Sequence, residues 1–117
     1  MAGSAIPGVL RRQVQRRSSN RCEYCQYPQS ACYATFECDH TAPIAIGGKL
    51  NLENLAWACP TCNASKRAFV SAIDPATGKS TPLFNPRLER WSEHFEWSAD
   101  LLRIKGKTAK GRAMFDC

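Results

Sequence analysis

Two Cys-x-x-Cys turns, Cys22-Glu-Tyr-Cys25 and Cys59-Pro-Thr-Cys62, constrain this chain more than any other feature. Each turn aims two sulfurs at one point, and two turns supply the four thiolates of a tetrahedral zinc site. Between them lie the 33 residues from Gln26 to Ala58. A metal joining both turns closes that long loop, so the loop must carry structure of its own. A second set, Cys22, Cys25, Cys38 and His40, also has zinc-type donors, but it leaves Cys59 and Cys62 without a role. Cys22, Cys25, Cys59 and Cys62 are therefore the expected ligands of a structural Zn2+.

Seven cysteines is an odd number, and a disulfide framework favours an even count with a secretory leader. Met1-Ala-Gly-Ser-Ala-Ile-Pro7 has no apolar leader core, and no stretch approaches membrane-spanning length. The expectation is a cytoplasmic chain with reduced thiols and no membrane partner. Its 117 residues read as one domain, 1–117, small enough that a metal staple matters. A net charge of +6 and a pI near 9.1 favour a polyanionic partner.

Residues 1–20 read as a basic N-terminal helix. Pro7 suits its first turn, Leu10 and Val14 share a face, and Arg11, Arg12, Arg16 and Arg17 cover the rest. Thr35 to His40 alternates as a strand should, with Phe36 and Cys38 on one face and Glu37 and Asp39 on the other. Pro43 ends regular pairing, and Gly47-Gly48 marks a turn. Leu55 to Cys59 suits a buried strand, and Pro60 starts a helix running to about Phe69. Residues 70–117 form a C-terminal extension. Turn formers make residues 72–87 a loop. Trp91, Phe95 and Trp97 face a core, with His94 packed among them. Leu101, Leu102 and Ile104 make a last strand.

The polar residues of the insertion fall in a definite order: Asp39-His40, Pro43, Gly47-Gly48, Asn54-Leu55, then Cys59-x-x-Cys62-Asn63-x-x-Lys66. This order, over about residues 21–67 of a core segment spanning 21–69, resembles the HNH endonuclease family. Flanking pieces resemble a bacterial subgroup of it whose zinc is held by four cysteines: Asp74-Pro75-x-Thr77-Gly78, Pro82 to Arg87, Trp91-x-x-His94-Phe95-x-Trp97 and Gly111-Arg112-Ala113.

The resemblance implies an α+β fold: a small ββα-metal core stapled by the four-cysteine zinc, with an N-terminal helix and a C-terminal extension. It implies a metal-dependent DNA endonuclease that nicks one strand per site. His40 is then the general base, since an imidazole is largely neutral at pH 7. Asp39 and Asn63 hold a catalytic Mg2+ or Mn2+, hard ions suited to oxygen donors. Asn54 orients the segment bearing the base. Arg11, Arg12, Arg16, Arg17, Arg21, Lys66 and Arg67 are expected to hold the backbone of double-stranded DNA with weak sequence preference, in a monomer or dimer. The competing class is a non-catalytic zinc module that binds nucleic acid.

Overall fold

An arginine-rich helix, an antiparallel hairpin and a second helix form the first part of the computed structural model, which describes residues 6–42, 47–66 and 69–115. Two compact units divide the chain, Met1–Ala68 and Phe69–Cys117. The expected features at Pro43 and Arg67 lie outside the described residues.

In the first unit, α1 spans Gly8–Arg17 with Pro7 at its N-cap. The fixed φ of proline suits a helix entry, and Arg16 and Arg17 in the last turn favour the negative end of the helix dipole. Strand β1 (Glu37–His40) pairs antiparallel with β2 (Leu55–Ala58), placing Cys38 opposite Trp57 and Asp39 opposite Ala56. Every residue of β2 is buried, as its unbroken apolar run requires. Helix α2 (Pro60–Lys66) follows at once.

Helix α1 is fastened to the hairpin by its side chains. Val14 is fully buried, as are Phe36 and Leu55, and removing each from water contributes about 1.5–3 kcal/mol. The Arg11 guanidinium lies 4.9 Å from the centroid of the Trp57 ring. It also donates to the Phe36 carbonyl at 2.6 Å and to the Glu37 carboxylate at 2.9 Å. Arg17 donates to the carbonyls of Leu52 and Leu55, at 2.8 and 2.5 Å. The first Cys-x-x-Cys turn docks on β2 through Glu23. Its N–H donates to the Trp57 carbonyl, and its carboxylate accepts from the Trp57 N–H.

Among the described residues, the second unit contains two further hairpins and two helices. Strands β3 (Ser71–Ile73) and β4 (Ser80–Pro82) pair antiparallel, where the sequence reads as loop. The turn formers between them close the hairpin, with Gly78 at a φ of +74°. Helix α3 (Trp91–His94) leads into β5 (Phe95–Trp97), which pairs with β6 (Ile104–Gly106); α4 (Ala109–Phe115) ends the described chain. Phe84 and Phe95 meet edge to face at 5.1 Å in this core. Two expectations are corrected here. Trp97 is 41% exposed, and Leu101 and Leu102 lie exposed ahead of β6. Leu101 has a φ of +62°, a turn conformation no strand interior accommodates. His94 is bonded at both ring nitrogens: Nδ1 to the Thr108 hydroxyl and Nε2 to the Glu89 carboxylate.

Candidate active site and metal centre

Sulfur atoms of Cys22, Cys25, Cys59 and Cys62 all lie within 4.8 Å of one another. Tetrahedral zinc with Zn–S near 2.3 Å sets its sulfurs about 3.8 Å apart; Cys25 Sγ and Cys59 Sγ are 3.7 Å apart. The Cys25 N–H points at Cys22 Sγ and the Cys62 N–H at Cys59 Sγ, each at 3.4 Å. These donors favour thiolate in each turn. Hydrogen bonding from the Cys25 thiol pulls Cys22 down to about 2. The hydrogen bond to Cys22, with the charge it carries, pushes Cys25 up to about 12 and Cys62 higher still. Cys22 ionises readily, and Cys25 and Cys62 then meet the repulsion of its charge. A bound cation relieves that repulsion, and four converging sulfurs fit a structural zinc. Cys38 stands apart, a half-buried thiol pushed up by burial.

Next to this centre, Tyr24 carries the fold from zinc to carboxylate. It sits inside the first Cys-x-x-Cys turn, is fully buried, and donates its hydroxyl proton to Asp39 Oδ2 at 2.6 Å. Burial and the Asp39 charge push the Tyr24 phenol well above its ordinary range, so it stays a donor. Sequence reasoning missed this residue. An aromatic spacer with a polar tip, held by two metal ligands, is the signal that marks it.

Asp39 Oδ2 takes a second partner, the Lys66 ammonium at 3.0 Å. Lys66 is only 4% exposed and also lies 3.4 Å from the His40 carbonyl. Its expected outward role on DNA gives way to an inward one, because a buried carboxylate needs a charge partner. Asp39 is itself 6% exposed, and removing one member of such a pair costs about 3–5 kcal/mol. Both partners hold Oδ2; among the described residues, Oδ1 accepts no hydrogen bond.

His40 is the last residue of β1. Its Nε2 is buried and meets no hydrogen-bond partner among the described residues. Directly after it, Asn54 secures the turn with its whole amide. Its Oδ1 accepts from the Thr41 hydroxyl and the Ala42 N–H, both at 2.8 Å. Its Nδ2 donates to the carbonyls of Ala42 and Lys49, both at 2.9 Å. Gly48 makes room for this clasp: a Cβ there would fall 1.7 Å from the Ala42 oxygen and 2.9 Å from Asn54 Nδ2. Asn63 is half-buried on α2, one turn before Lys66. Residues three apart share a helix face, so Asn63 lies on the side that reaches Asp39.

Of the residues read from sequence, the structure joins Asp39 to Lys66, and Asn54 to the segment after His40. It shows no direct hydrogen bond among Asp39, His40 and Asn63 within the described residues. The basic residues divide. Arg11 and Arg17 are engaged with the protein's own carbonyls, whereas Arg12 and Arg16 are exposed on α1. Arg21 is exposed and donates to the Gln26 carbonyl at 3.2 Å.

Comparison with protein families matches residues 22–69 to the family described as HNH endonuclease. This stretch is an HNH endonuclease domain. Its span begins at the first cysteine of the zinc cluster and passes through Asp39, His40, Asn54 and Asn63. Comparisons with curated proteins and with solved structures returned no match. An HNH domain with a four-cysteine metal cluster is the equipment of a metal-dependent nuclease, and such domains act on nucleic acid. Among the described residues no helix is long and apolar enough to cross a membrane.

Proposed function

We propose that this chain is a DNA endonuclease that nicks one strand at a time, with His40 as general base. The supporting observation is the His40 imidazole: a buried ring nitrogen with no protein partner among the described residues, at the end of a strand whose preceding residue is a held carboxylate. A buried polar atom left unpaired is costly, and functional sites are where such a cost is retained. In this reading β1, β2 and α2 form the ββα-metal unit.

The donors on offer for a catalytic ion are oxygens: Asp39 Oδ1 and the Asn63 carbonyl. Such a set fits Mg2+ or Mn2+, with water and phosphate completing the shell. When bound, the ion would supply positive charge to the phosphate and the departing 3′-oxygen. His40 Nε2 takes the proton of the attacking water. Asn54 keeps the His40 turn from relaxing, through four hydrogen bonds made by one amide. Tyr24 and Lys66 fix the Asp39 plane, so that one oxygen faces away from them. Arg12, Arg16 and Arg21 are the exposed cations best placed to meet phosphates.

One observation favours the other reading, a zinc module that binds nucleic acid without cutting: Lys66 already neutralises Asp39. Supercoiled plasmid decides between them. The zinc-loaded protein should nick it with Mg2+ or Mn2+, and His40→Ala should cut about 100- to 10,000-fold more slowly with its zinc retained. A folded, zinc-loaded protein that nicks under no divalent ion would sink the enzyme reading.

A further inference from the structure

Asp39 carries a permanent counter-charge inside the protein. Lys66 holds its ammonium 3.0 Å from Oδ2, and both side chains are more than nine-tenths buried, at 3% and 7% exposure. The other candidate ligand, Asn63, is neutral. The first ligands of the catalytic ion therefore sum to no net negative charge: one carboxylate, cancelled by one ammonium, and one amide.

The zinc centre shows the contrast within the same unit. Cys22, Cys25, Cys59 and Cys62 lie together with no cation of the protein bonded to their sulfurs among the described residues. That cluster demands a metal to balance it. Asp39 does not. Magnesium and manganese part reluctantly with water and are held by anionic oxygens. A site of zero net charge gives them little reason to stay, and an ammonium beside the ligand repels a dication directly.

We propose that Lys66 makes uptake of the catalytic ion conditional on DNA: the free protein holds the ion weakly, and the backbone phosphate supplies the missing negative charge. This rests on the assignment of Asp39 as an ion ligand. Lys66 stays on Oδ2 throughout, so Oδ1 is the oxygen offered to the ion. The phosphate and the ion enter as a pair, each raising the affinity for the other by the same factor, as linkage requires. An enzyme built this way has a charged metal site only where a phosphodiester is already present.

The test counts free Mn2+ by electron paramagnetic resonance, with the full-length, zinc-loaded protein in a His40→Ala background that does not cut. Titrations run with and without a short DNA duplex, and the signal of duplex alone is subtracted. The protein alone should bind Mn2+ at least about tenfold more weakly than its DNA complex. Lys66→Gln retains a donor for Oδ2 without the charge; it should raise the affinity of the free protein about tenfold and narrow the gap. Lys66→Arg keeps the charge and should keep the gap. Equal Mn2+ affinity with and without DNA overturns the proposal, as does a Lys66→Gln protein whose free affinity is unmoved. If plasmid is still nicked in either case, the nuclease reading stands and only the role of Lys66 falls. Mn2+ binding by none of the proteins, with or without DNA, overturns both this proposal and the assignment of Asp39. Should Lys66→Gln lose its zinc, Lys66→Met, which removes the charge and keeps an unbranched buried side chain, takes its place in the same titrations, and an unmoved free affinity there overturns the proposal.

Discussion

Two buried aspartates, one in each unit, are paired with a base and put to different uses. Asp74 follows β3, is 1% exposed, and binds Arg112 through both oxygens, each contact 2.9 Å long. Its oxygens also accept from the Ala76 N–H and the Thr77 hydroxyl. Nothing is left over. Asp39, by contrast, has both partners on one oxygen. A planar guanidinium matches a carboxylate fork to fork, whereas an ammonium is a point charge that meets one atom. Arginine on Asp74 thus closes a turn, and lysine on Asp39 leaves Oδ1 without a hydrogen bond among the described residues. A saturated buried carboxylate suits a structural role, and the proposed function uses the half-saturated one, next in sequence to a histidine whose Nε2 has no partner among the described residues.

The zinc centre is where the Asp39 side of this comparison breaks most completely. Tyr24 reaches Asp39 from the turn that Cys22 and Cys25 close. Structural zinc is worth about 10–16 kcal/mol in small zinc peptides, as much as the whole stability of a typical domain. Cys62→Ser should therefore cost the first unit its tertiary structure, seen as loss of the near-ultraviolet circular dichroism of Trp57 and of bound zinc. Its sequence neighbour behaves otherwise: Asn63→Ala should keep both signals and lose Mn2+ binding in the DNA complex. Equal damage from the two would mean that one metal, not two, is served by this helix.

Acid separates the two aspartates next. The Arg112 guanidinium, helped by Ala76 and Thr77, holds the Asp74 carboxyl well below its usual range. A carboxyl depressed in the folded state contributes stability above its unfolded pKa of about 3.9, and loses it as pH falls through the lower folded value. The pair should persist at pH 5 and fail only in strong acid. Asp74→Asn should lower the melting temperature at pH 7 and abolish this pH dependence below about 4, while leaving nicking unchanged. Asp39→Asn should lower stability as well, since it leaves the buried Lys66 without its partner, and should remove nicking and DNA-linked Mn2+ binding, which Asp74→Asn leaves intact. A nicking defect in Asp74→Asn would show that saturation does not separate the two roles.

Legibility in the sequence followed the range of the interaction. Cys22 and Cys25 are set by a turn of four residues, so their pairing can be read along the chain, as can that of Cys59 and Cys62. Strand β2 was legible because the five apolar residues from Leu55 to Cys59 can only be buried. The order of Asp39, His40, Asn54 and Asn63 was legible as a family pattern, and the HNH match covers it. Tertiary commitments were not. A lysine and an arginine look like surface charges until the fold brings Asp39 to Lys66 and the Leu55 carbonyl to Arg17. The hairpin of β3 and β4 was hidden because three-residue strands carry too short a pattern, so the turn formers between them dominated the reading.

The smallest expected effect tests the link from zinc to carboxylate. Tyr24→Phe deletes one oxygen and leaves the buried ring, so packing is preserved. Asp39 Oδ2 keeps Lys66 but loses the donor that fixes the plane of its carboxylate. Partners of this kind behind a metal ligand are worth about 10- to 100-fold in affinity or activity. Tyr24→Phe should therefore lose about tenfold in Mn2+ affinity of the DNA complex and in nicking at limiting Mn2+, with zinc content unchanged. Added Mn2+ should restore the nicking rate, because the variant binds the ion poorly but still has His40. A defect that excess Mn2+ does not rescue would place Tyr24 in the proton path instead. No defect at all would mean that Lys66 alone orients Asp39, and that the zinc centre supports the site only by keeping its strand and helix together.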